Sequence, residues 1–182
     1  MPKTCPIWDL SDLYTGITDV KLVSDVSDCQ KLATVLNQEW QGRLCLASAD
    51  ELAIVIRQYE VLLEKFGRVQ SHAQLMFAAN TSDPELAKHH QSIREVGAEI
   101  HAKVLFVELE LASLDDLHMH TLLETPELAY FEPWLRRVRA MEPYQLKPEI
   151  EKMIAERAPT GSAAWTRLFD ETTTAMRFPF QG

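Results

Sequence analysis

The amino-acid sequence predicts an all-α fold, in which antiparallel long helices are followed by shorter helices and a strand-like C-terminal tail. Apolar residues recur at spacings of three and four from Leu22 to Leu111, a period that a helix converts into one buried stripe. Two Ser-x-x-Glu patterns mark where the second and third long segments begin. Beyond Ser113, prolines at positions 126, 133, 143, 148 and 159 cut the chain into short pieces.

Taken in order, the first 17 residues hold Pro2, Pro6 and Gly16 and no sustained period. They predict an extended arm whose Trp8, Leu10, Leu13 and Tyr14 pack onto the body. Val26, Cys29, Leu32, Ala33, Leu36 and Trp40 then form one helical stripe, stopped by Gly42, although the Ser and Asp residues of its first two turns weaken helix propensity. Ser48 and Glu51 make a capping box ahead of Leu52, Val55, Ile56, Tyr59, Leu62, Leu63 and Phe66. Gly67 costs about 1 kcal/mol relative to Ala inside a helix and predicts a kink there. Helix resumes through Leu75, Met76 and Phe77 to Asn80.

Ser82 and Glu85 form a second box around Asp83 and Pro84, and Pro is compatible with a first helical turn because its missing N–H has no helical partner there. The stripe Leu86, His90, Ile93, Gly97, Ile100, Val104, Val107 and Leu111 predicts one long helix, antiparallel to its predecessor because the turn between them is short. Leu105, Phe106, Leu109 and Ala112 widen its apolar face and imply several neighbours. The later helices fall at roughly 115 to 123, 126 to 140, 148 to 157 and 162 to 174, with Thr125 and Ser162 as start signals. Met176, Phe178 and Phe180 then alternate with Arg177, Pro179 and Gln181, which reads as the opening of a strand with no partner strand left. The chain reads as a single region over 1–182: arm 1–17, long helices 18–113, short helices 114–174 and a truncated strand-like tail 175–182.

With 182 residues, 46% of them hydrophobic, the chain can bury a core without disulfide or metal staples. A formal charge of -9 argues against nucleic-acid binding. The only dense basic run, Arg136, Arg137 and Arg139, fits a solvated helix face or a positive helix end. Cys5, Cys29 and Cys45 are odd in number and lack C-x-x-C spacing, as expected for reduced thiols. Trp8, Asp9 and Asp12 occupy the place of a secretory apolar run, and no stretch approaches 18 uncharged apolar residues. A cytoplasmic protein without a membrane partner is the expectation.

Catalytic and metal-binding residues are not found. A zincin needs two histidines four apart on a helix with Glu beside the first, and no pair among His72, His89, His90, His101, His118 and His120 has that spacing. No His has Glu three residues before it, which a di-iron bundle requires. The nearest ligand cluster is Asp115, Asp116, His118, His120 and Glu124, but on a helix His118 and His120 point about 200° apart. His89 and His90 diverge by about 100°, which predicts one at the core margin and one in solvent. Glu95 with Glu99, and Glu108 with Glu110, are paired carboxylates that could do acid–base work if burial split their pKa values; surface glutamates on a helix are far commoner. No phosphate loop, nucleophile elbow or activated cysteine is recognisable.

Two motifs carry a family resemblance. Trp8-Asp9-Leu10-Ser11-Asp12-Leu13-Tyr14 resembles the W-D-L-s-D-L-Y arm that opens oligoendopeptidase F-type enzymes, zinc metallopeptidases related to thimet oligopeptidase. Thr160-Gly161-Ser162-Ala163-Ala164-Trp165-Thr166-Arg167-Leu168-Phe169-Asp170-Glu171 is similar to their T-G-x-x-A-W-x-R-L-F-D-E segment, behind a Pro-Tyr-Gln-Leu element like their P-H-x-L. The resemblance implies an almost wholly helical fold whose two halves enclose a channel for short unfolded peptides, with the H-E-x-x-H helix and a third Glu ligand in the C-terminal half. This chain would then be the non-catalytic N-terminal wall or lid of a zinc metalloendopeptidase hydrolysing oligopeptides. Its partner would be the catalytic half of the same parent chain; zinc and the oligopeptide substrate belong to that parent, and the fragment alone could form a homodimer. None of the family's catalytic or metal residues maps onto this sequence. The alternative is a free-standing helical module that binds a peptide or partner without enzymatic activity.

Overall fold

The computed structural model describes residues 8–179, and every regular element among them is helical. The first helix, α1, runs Val20–Trp40; α2 is Ala49–Ala79 and α3 is Pro84–Ala112. Four shorter helices follow: α4 Asp116–Leu123, α5 Glu132–Ala140, α6 Pro148–Arg157 and α7 Ser162–Ala175, with single 3-10 turns at Leu44–Leu46, Ala129–Phe131 and Glu142–Tyr144. The three long helices pack mutually, and α3 also carries α5 and α6 on its remaining sides. That explains the breadth of its apolar surface, since Ile93, Ile100, Val104, Phe106, Val107, Leu111 and Ala112 are all buried.

Local chemistry sets the ends of the long helices. Asp19 caps α1 by accepting from the Lys21 N–H at 2.7 Å, and its second oxygen accepts from Thr15 N–H at 2.8 Å, so the Asp-rich first turns are helical after all. Gly42, at φ 79°, supplies the left-handed residue that turns the chain after α1. Ser48 and Glu51 close their capping box in both directions at the start of α2. At α3 the reading needs correction. The cap is Asp83, whose side chain accepts from Glu85 and Leu86 N–H groups, and Pro84 occupies the first turn, so Ser82 stands outside the helix.

At Gly67, where a kink was expected, helix continues unbroken through the 31 residues of α2. A different glycine matters more. A Cβ on Gly97 would lie 2.9 Å from the Phe66 ring and 3.0 Å from Gln70 Nε2, so α2 and α3 approach there as closely as a missing side chain permits. Leu63, expected in the α2 stripe, is 46% exposed.

The arm divides at its middle. Tyr14 is buried and donates its hydroxyl to Asp25 at 3.0 Å, and burial first, with the Asp25 charge second, pushes its pKa up to about 12. Leu13 packs on the core beside it, whereas Trp8 is 75% exposed, contrary to expectation. Asp25 also meets Lys65 at 3.4 Å, which ties arm, α1 and α2 together.

In the second half, the expected helix over 126–140 is a turn and a 3-10 segment up to Phe131 and helical only from Glu132. Thr125 donates its hydroxyl back to the Leu122 carbonyl, finishing α4 instead of starting a new helix. α7 begins without a side-chain cap, since Gly161 holds the cap position and Ser162 is already helical. Met176 leaves α7 with extended backbone, but residues 177–179 join no strand, and Phe180 of the expected alternation lies outside the described residues.

Candidate functional site

The residues that looked most like chemistry serve the architecture. Glu108 accepts from the Tyr59 hydroxyl at 3.0 Å, and burial with that nearby charge raises the tyrosine pKa. Glu110 receives the Gly42 N–H at 2.6 Å and the Leu44 N–H at 3.2 Å, so one carboxylate on α3 clamps the loop between α1 and α2. Glu95 accepts from Gln91, one turn earlier, at 2.7 Å, and Glu99 is exposed.

The Asp115–Glu124 cluster is likewise dispersed. Asp115 caps α4 through the His118 N–H, Asp116 pairs with Arg139, and His120 reaches Glu124 at 3.4 Å. No three His, Cys, Asp or Glu side chains converge on a common point among the described residues, so the donor set does not fit a zinc ion. In the basic run, Arg136 pairs with Glu132, and Arg139 donates to the Ala112 carbonyl, fastening α5 to the end of α3. Cys29 is buried and Cys45 exposed, both as free thiols, while Cys5 lies outside the described residues.

The histidines form a different pattern from the one expected. His89 and His90 are both half-buried, instead of one in the core and one in solvent. His90 stacks on Phe77 with ring centroids 4.9 Å apart and planes 17° from parallel. Burial holds its pKa below the usual range, and the Arg94 and Arg167 guanidiniums push the same way, so the ring is neutral near pH 7.

His90 and Phe77 lie on the wall of a cleft of about 480 Å³ where α2, α3 and α7 meet. Arg94 and Arg167 line it, with Asp170, Gln70 and Gln74. Arg167 donates Nε to Glu171 at 2.7 Å and Nη1 to Gln91 at 3.2 Å, and this second bond fastens α7 to α3. Arg94 makes no hydrogen bond or ion pair among the described residues. Sequence reading could not find this cleft, because Arg94 carries no motif and meets Arg167 only once α7 has docked.

A larger feature covers the outside of the same region. Trp165, Leu168 and Phe169 of α7 are 73%, 52% and 66% exposed, and α7 buries no residue at all. Ile150, Met153 and Ile154 of α6 and Phe178 beyond α7 are exposed as well. Isolated exposed apolar residues are ordinary, but here they recur on two successive helices.

Residues 110–178, less than half of the chain, match the family model described as Oligopeptidase F. That span runs from the last turn of α3 through α7 and contains the Thr160–Glu171 motif; the Trp8–Tyr14 motif lies outside it. No curated protein and no solved structure matches the chain.

Proposed function

We propose, from the match of residues 110–178 to the oligopeptidase F family model, that the chain is a non-catalytic wall or lid of the substrate channel of a zinc metalloendopeptidase that hydrolyses oligopeptides. The observation that carries this reading is the apolar face of α6 and α7, which falls inside the matched residues and has nothing over it among the described ones. Burying Trp165 and Phe169 against a further helical layer would remove a large apolar area from water, at roughly 25 cal/mol per Å². The occupant assigned to that face is the catalytic half of the parent protein, which supplies the zinc site and the H-E-x-x-H helix. This chain's own part is to bound the channel and limit what enters. No step of hydrolysis is assigned to its residues.

Reading the coding sequence past Gly182, together with the mass and peptidase activity of the natural protein, tests the proposal. An H-E-x-x-H helix downstream or in a bound chain, with zinc-dependent cleavage of short peptides, is the expected result. A natural product of 20.8 kDa with no such motif in itself or in a bound chain would overturn it and leave the partner-binding module standing.

A further inference from the structure

We propose that the cleft between α2, α3 and α7 binds the carboxylate end of a peptide, with Arg94 as its principal anchor. Arg94 is half-buried on α3, without a carboxylate partner among the described residues, in a space of about 480 Å³. A guanidinium kept partly out of water and unpaired is a costly arrangement, and a planar two-oxygen anion is the ligand that its fork of donors fits best. Arg167 supports the same group. With Nε on Glu171 and Nη1 on Gln91, its Nη2 remains for a ligand, and the Glu171 charge offsets its own. Arg94 is therefore the arginine of the cleft that bonds to no side chain among the described residues, with Asp170 the nearest formal counter-charge in the lining.

The rest of the lining separates a peptide end from a simple anion. His90, neutral and stacked on Phe77, offers an apolar ring pair against which a terminal side chain can pack. Asp170 and Gln74 are acceptors within the same cleft, suited to the amide N–H groups that follow a peptide carboxylate and less suited to a phosphate, which brings more negative charge and no amide donors. The choice of a peptide over a free carboxylic acid rests on the peptidase reading above; the presence of an anion anchor does not.

The test is an NMR titration of the chain, following arginine side-chain and backbone signals. Three probes are used: a short unstructured peptide with a free C-terminus, the same peptide amidated, and an amidated version with one internal Glu. The free-terminus peptide is expected to shift the Arg94 and Arg167 signals with an affinity at least about tenfold above the amidated one, and Arg94→Gln should remove most of that difference. Arg94→Lys keeps the charge and should retain part of it, which guards against a folding defect in the first variant. Equal binding of the free and amidated peptides, no binding, or an unchanged preference in R94Q would each overturn the proposal. Tighter binding of the internal-Glu peptide would overturn the assignment to a chain terminus. Inorganic phosphate binding as well as the free peptide would remove the argument from Asp170. None of these outcomes bears on whether a zinc site follows Gly182, so the two readings fail separately.

Discussion

His72 shows how one residue can be placed by packing and set against charge. It is fully buried on α2, edge-on to Tyr14 at 5.4 Å, and neither ring nitrogen has a hydrogen-bond partner of good geometry. The Tyr14 backbone is close enough to favour a charged ring, as is the Asp19 carboxylate, but burial outweighs both and lowers its pKa; His89 and His90 are lowered too. A group whose folded pKa lies below its unfolded value stabilises the fold above the unfolded pKa and loses that contribution as pH falls. Stability should therefore drop as pH is lowered below the ordinary imidazole value of 6.5, ahead of the loss from the carboxylates held down in the fold, Asp9, Asp19 and Glu51. Urea midpoints at pH 7.5 and 5.5 measure it. His72→Phe, which keeps a ring in the space and removes both unpaired nitrogens, should reduce the difference, leaving the share of His89 and His90, without lowering the midpoint at pH 7.5. A midpoint independent of pH across this range would exclude the histidines as its source.

At the scale of elements, the caps are the sharpest test of what each segment end does. Asp83→Ala removes the acceptor for two N–H groups at the start of α3 and should lower stability by about 1 kcal/mol, whereas Ser82→Ala should change it by no more than a few tenths. Equal effects in thermal or urea melts would put the cap back at Ser82. The same element shows what the sequence could reveal. The stripes of α1, α2 and α3 were legible because helical period and burial coincide there, and α6 begins and ends where its prolines predict. Residues 126–131 were not, since Pro126 looks the same at a helix start as at the turn that ends α4. Gly97 fell in the apolar stripe of α3, but that it marks the closest approach of α2, against Phe66 and Gln70, is visible only in the packed helices. The cleft was out of reach for a related reason, since it depends on which face of α7 meets α3.

For the molecule as a whole, the distribution of apolar exposure is the governing fact. The buried core belongs chiefly to α1, α2, α3 and the elements that pack on the far half of α3, while α7 has no buried residue. An isolated 182-residue chain should therefore self-associate through α6 and α7. Sedimentation velocity across a concentration series is expected to show a shift to dimer that Trp165→Ser with Phe169→Ser abolishes, while helicity from α1 to α3 is unaffected. A monomer at every concentration would overturn this prediction.

The uneven anchoring of the helices also sets an order in time. The three long helices complete their mutual contacts within the first 112 residues, so that body can form on the ribosome as soon as α3 has emerged. α7 is joined to it by little more than the Arg167 to Gln91 hydrogen bond, and its Trp165 and Phe169 stay exposed after docking. During synthesis the long-helix body can therefore be complete while an aromatic helix at its margin is still open to chaperones.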